Sequence, residues 1–119
     1  MMIRLLLLTL CVSLPAGAQE VYPNRPLQLI IPFPPGGNTD LMARSLQAEL
    51  SRALGQPVVG INRGGAAGSI GNAELHRSRP DGLTIGISPN NAITTQPWLQ
   101  PTPYGAGEFR YLCQVYDNP

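Results

Sequence analysis

Three short apolar runs, each followed by a polar or glycine-rich loop, constrain this chain more than any other feature. Leu27-Gln28-Leu29-Ile30-Ile31, Pro57-Val58-Val59-Gly60-Ile61 and Leu83-Thr84-Ile85-Gly86-Ile87 are rich in strand formers. The first is nearly all apolar, which fits a strand covered on both faces, as in a parallel sheet. Between the first two, Met42, Leu46, Leu50 and Leu54 recur at i, i+4, with Arg44, Gln47, Glu49 and Arg52 on other faces. That spacing predicts an amphipathic helix starting at Asn38 or Thr39 as its cap and stopped by Gly55 and Pro57. A shorter helix is predicted from a Ser69 cap through Ile70, Ala73 and Leu75, and another helical turn after Asn91, through Ile93. Residues 97–107 read as irregular, and Phe109 to Tyr116 as a fourth strand. Strands alternating with helices at these distances predict an α/β fold of right-handed βαβ units on a mostly parallel sheet.

The first eighteen residues have the layout of an export leader. Met1 to Arg4 give a short positive start, Leu5 to Leu14 an apolar core, and Ala16-Gly17-Ala18 a small-residue cleavage site. The apolar run is short for a membrane span. The expected division is therefore a signal peptide over 1–18 and a mature chain over 19–119. After cleavage Cys113 is the one remaining cysteine, and its apolar neighbours predict burial.

Composition closes several functional routes. All eight basic residues are arginine and the formal charge is +1, so no basic field for nucleic acid is visible. A P-loop needs a lysine that the chain lacks, and the stretch Gly64 to Gly71 contains no G-x-G-x-x-G. One histidine, His76, reads as a solvated surface residue, and with one mature cysteine it cannot build a His/Cys metal cluster. Ser69 and Ser88 lack a nucleophile elbow. Trp98 and Tyr104 read as packing residues. No cofactor is expected.

What remains are three loops after three strands: Phe33 to Asp40, Asn62 to Ser69, and Ser88 to Asn91. In open α/β sheets ligands bind beyond the carboxyl ends of strands. A helix start offers unpaired N–H groups and about half a positive charge, suited to an anion. In Pro32-Phe33-Pro34-Pro35-Gly36-Gly37-Asn38-Thr39-Asp40 the prolines stiffen the path and the glycines leave the backbone bare.

The stretch from Tyr22 to Ser88 closely resembles the start of the tripartite tricarboxylate transporter substrate-binding proteins, the Bug family. The resemblance rests on Tyr22-Pro23 with Arg25-Pro26, the loop Pro32 to Asp40, Ala43-Arg44, Leu54 to Val59, Asn62-Arg63 with its glycines, and Pro80-Asp81-Gly82. It implies a periplasmic binding protein of two α/β lobes (type II-like), monomeric when full length. Such a protein captures a small organic anion, often a carboxylate, for membrane permease subunits, without catalysis. It implies ligand-binding roles for Pro35, Gly36, Gly37, Asn38, Thr39 and Asp40, and for Ala67, Gly68, Ser69, Ser88 and Asn90. Asp40, an acid beside an anion, is expected to fix the loop or hold water. Family members are about three times longer, so the chain is expected to hold part of the first lobe and to bind weakly alone. The alternatives are a small exported α/β enzyme acting on an anionic substrate, or a non-functional gene remnant. Departures from the family pattern occur at Gly64, Asn91 and Gly105.

Overall fold

The computed structural model describes residues 21–115; the expected leader, 1–18, lies outside the described residues. Three strands form one parallel sheet in the order β2-β1-β3: β1 Leu27–Ile31, β2 Val58–Asn62 and β3 Thr84–Gly86. Leu29 pairs with Gly60 on one side and with Ile85 on the other. β1 is central, and all its residues except Gln28 are buried. This is the pattern of a strand covered on both faces.

α1, Asn38–Leu54, follows β1, and α2, Ser69–Arg77, follows β2. β2 and β3 flank β1 on opposite sides, so two right-handed crossovers put α1 and α2 on opposite faces. The packing agrees. Leu27, Leu29 and Ile31 form the core with Ala43 of α1 and with Val58, while Leu50, Leu54, Leu83, Ile85 and Ile87 pack around them. On the other face Leu75 of α2 lies over Gly86, where a Cβ would come within 2.5 Å of its Cδ2. Each fully buried Leu or Ile contributes about 1.5–3 kcal/mol relative to exposure. β1, with Leu29 and Ile31 at zero exposure, therefore anchors the domain.

Gly71 shows how tightly α2 approaches. A Cβ there would lie 2.7 Å from Pro32 Cα and 2.8 Å from the Arg63 carbonyl oxygen. Both are backbone or ring atoms that cannot swing aside.

Four expectations need correction. Over Phe109 to Val115 no strand forms, and Tyr116 lies outside the described residues. Phe109 instead packs edge-on against Tyr104, with ring centroids 5.4 Å apart, and no neighbouring strand satisfies a ladder. Residues 97–107 are less irregular than expected, since α3 Asn90–Thr94 leads into α4 Gln96–Leu99, and a 3-10 turn spans Ala106–Glu108. Trp98 on α4 is 88% exposed and packs little, whereas Tyr104 is buried with its hydroxyl donating to the Ala92 carbonyl at 3.0 Å. Cys113 is exposed, because the segment that carries it lies outside the core.

Gly71→Ala is expected to destabilise the domain by about 1–3 kcal/mol, although alanine has the better helix propensity by about 1 kcal/mol. Urea unfolding of both proteins gives the sign directly.

Candidate functional site

All three strands end on the same edge of the sheet, and their loops meet there. β1 leads to α1 on one face, while β3 leads to α3, which packs beside α2 on the other. The carboxyl edge between β1 and β3 is thus the switch point where doubly wound sheets open a crevice. Gly68 touches both neighbouring loops. A Cβ on it would sit 3.1 Å from Ala92 Cβ and 3.2 Å from the Phe33 ring.

The first loop is held by one carboxylate. Asp40 is buried in the first turn of α1 and accepts from the Gly36 N–H at 2.9 Å. Its other oxygen accepts from Asn62 Nδ2 at 2.8 Å and from Arg44 Nε at 3.2 Å. Asn62 Nδ2 also donates to the Phe33 carbonyl at 3.0 Å, and Asn62 Oδ1 accepts from Arg44 Nη2 at 2.9 Å. The Gly36 N–H first, then the Asn62 amide, with Arg44 adding to them, hold the Asp40 carboxyl below its ordinary value of 3.8 against its partial desolvation.

The cap of α1 differs from expectation. Gly37, not Asn38 or Thr39, is the N-cap, and no side chain caps it. Asp40 instead reaches back past the cap to the Gly36 N–H, which pins the loop and leaves the first-turn amides uncapped. The first intrahelical bond runs from the Leu41 N–H to the Gly37 carbonyl at 3.0 Å. The amides of Asn38, Thr39 and Asp40 precede it, as helix starts require. The Gly36 amide is already committed to Asp40. Pro35, Gly36, Gly37 and Asn38 are exposed around this start.

The second loop is strained. Gly65, Ala66, Ala67 and Gly68 have φ of 129°, 46°, 52° and 94° in succession. A left-handed alanine costs roughly 1–2 kcal/mol. Gln100 braces the run, donating to the Ala66 carbonyl at 3.3 Å and to Ser69 Oγ at 3.1 Å. Ser69 is therefore a buried first-turn residue under Gln100, and Gly68 takes the expected cap position.

The third loop is pinned from α2. Buried Asn72 donates to Ser88 Oγ at 3.1 Å and to the Ala92 carbonyl at 3.2 Å. Asn90 stands exposed at the first position of α3, after the Pro89 cap. Among the residues named from sequence, those of 35–40, 67–69 and 88–90 thus occupy loops on one edge. Sequence reasoning left Asn62, Asn72 and Gln100 without roles. A polar residue closing an apolar strand is a weak signal for Asn62, and the i, i+4 spacing of Asp40 and Arg44 a better one for that pair. Gln100 is 31 residues from Ser69 and gave none.

His76 is on the surface as expected, with Nε2 3.1 Å from a Glu108 carboxylate oxygen. Asp81 lies at the opposite end of the sheet, where the Leu83 N–H and Arg25 hold its carboxyl low against partial desolvation.

Two outcomes follow from these loops. A carboxyl held low stabilises the fold fully above its ordinary value, and that contribution is lost as pH falls through the lowered value. Stability should therefore drop below about pH 4, and Asp40→Asn should make that drop shallower while Asp81 keeps the rest. Urea midpoints measured across acid pH check it. Ala67→Gly should relieve strain and raise stability by about 0.5–1 kcal/mol, also read by urea unfolding.

The sequence profile described as the tripartite tricarboxylate transporter family receptor matches residues 42–118. Protein BugT of Bordetella pertussis is 47% identical over 90 residues, covering 76% of this chain and 27% of BugT. A solved structure described as a periplasmic transporter superposes with a TM-score of 0.68 at 41% identity, over 71% of this chain and 29% of that one. MatC from Rhodopseudomonas palustris, solved with bound malate, gives a TM-score of 0.53 at 37% identity, over 55% of this chain and 22% of MatC. The chain thus spans about a quarter of the length of BugT. With its profile match, its parallel α/β lobe and these relatives, the chain belongs to the tripartite tricarboxylate transporter receptor family.

Proposed function

We propose that this chain forms one jaw of a periplasmic receptor for a small organic anion, delivered to a membrane permease without catalysis. The ligand's carboxylate seats on the amides at the start of α1, with the loops at 67–69 and 88–90 flanking it. Malate bound to MatC supports the ligand class. The leader-like residues 1–18, and the relative described as a periplasmic transporter, support the compartment.

The observation that carries the reading is Gly37. Its φ of −76° and ψ of 166° are open to any residue. A Cβ there would meet nothing closer than the Pro34 carbonyl oxygen at 3.6 Å. Neither backbone strain nor crowding demands glycine at this position, and serine, aspartate or asparagine would cap the helix at least as well. A bare backbone at the mouth of a helix start does serve a group that must come close to the amides. Neighbouring Gly36, by contrast, has φ of 84°, so the loop's own geometry accounts for it.

Malate titrated into the isotopically labelled 119-residue chain should shift the amide resonances of Gly37, Asn38 and Thr39, with weak, millimolar affinity. Gly37→Ala should cost about 0.5–1 kcal/mol of folding stability, because alanine is a poor helix N-cap, and weaken malate about tenfold, equal to about 1.4 kcal/mol. If these amides move no more than that of Leu83 at the opposite end of the sheet, the reading fails.

A further inference from the structure

Two residues that hold Asp40 have no part yet in the ligand reading: Arg44, which reaches from α1 over the end of β2, and Asn62, the last residue of β2. We infer that Arg44 and Asn62 are positioning residues of the anion loop, which fix Asp40 against Gly36 and offset the negative charge it would otherwise present to a bound carboxylate. The inference rests on the carboxylate reading above.

The geometry leaves each group fully used. Asn62 ties together three separate pieces of chain: the Phe33 carbonyl in the loop, Asp40 on the first turn of α1, and Arg44 on the second. Its place is set by the ladder, in which Asn62 pairs with Ile31 and the Arg63 N–H donates to the Ile31 carbonyl at 2.8 Å. Arg44 lies 3.2 Å from the same Asp40 oxygen, and its side chain is half exposed. It can therefore supply charge without being buried. Without Arg44, Asp40 would stand as an uncompensated acid within one turn of the amides meant for an anion, and like charges at that separation repel. The side chain at position 40 cannot simply be truncated, because its Oδ2 accepts from the Gly36 amide. A counter-charge beside it satisfies both needs.

A charge cycle separates this role from a merely structural one. In the 119-residue chain, malate binding is read from the Gly37 to Thr39 amide shifts. Arg44→Gln should weaken it about tenfold, and Arg44→Lys should recover part of the loss. Asp40→Asn combined with Arg44→Gln should bind more tightly than Arg44→Gln alone, which no damage to packing would produce. Asn62→Ala should speed hydrogen exchange at Gly36 at least tenfold while leaving Leu29 in β1 protected. If wild-type loop amides ignore malate, the carboxylate reading falls and this inference falls with it. If they respond, but Arg44→Gln costs no affinity or the double variant recovers none, the positioning role alone is wrong.

Discussion

The hydrogen bond from the Gly36 amide to the Asp40 carboxylate is the contact on which the site depends. A loop of three prolines and two glycines has few side chains that could fix it from outside. It is fixed from within the helix it precedes. Asp40 sits close enough to the start of α1 to face backwards, so its charge also suits the positive end of the helix. Hydrogen bonds to the ionised form outweigh the partial loss of water, which is why its carboxyl stays low. The same side chain therefore shapes the loop and places a negative charge at the positive end of the helix.

The second loop solves a different problem. Where the first is stiffened by proline, the second turns through four left-handed residues, two of them alanines. Such strain persists only where surrounding structure over-determines it. Gln100 supplies that constraint, from a segment distant in sequence. The two loops abut at Gly64, where a Cβ would come within 3.2 Å of Pro34. Rigidity on one side and braced strain on the other give an edge that needs little ordering when a ligand arrives.

Much of this was legible from residue order. Leu27–Ile31 is largely apolar because both faces of the strand are covered. On α1 the predicted stripe is only half right: Ala43, Leu50 and Leu54 pack on the core, and Gln47, expected on another face, lies over Gly60 of β2. The loops fell on one edge because parallel strands leave no other choice. The failures share a cause, which is that partners distant in sequence decided the outcome. Asn38 has the chemistry of a cap, but the helix already begins at Asn38 and Gly37 takes the cap position. Ser69 reads as a cap locally and is instead covered by Gln100. Phe109 to Val115 has strand-forming residues, yet it joins neither open edge of the sheet, β2 or β3; Phe109 packs on Tyr104 instead, and Cys113 is exposed.

Asn62 closes the β2 ladder and also grips the loop before α1. Along a strand, successive side chains point to opposite faces. A slip of β2 by one residue against β1 would turn Asn62 towards α2 and bring Ile61 or Arg63 to the face of α1. The Phe33 carbonyl, Asp40 and Arg44 would lose their common partner together. The side chain that shapes the site thus also proofreads the pairing of the sheet: a misregistered molecule would keep much of its apolar burial but have no organised loop. Correct pairing of the sheet and the shape of the loop before α1 depend on the same amide.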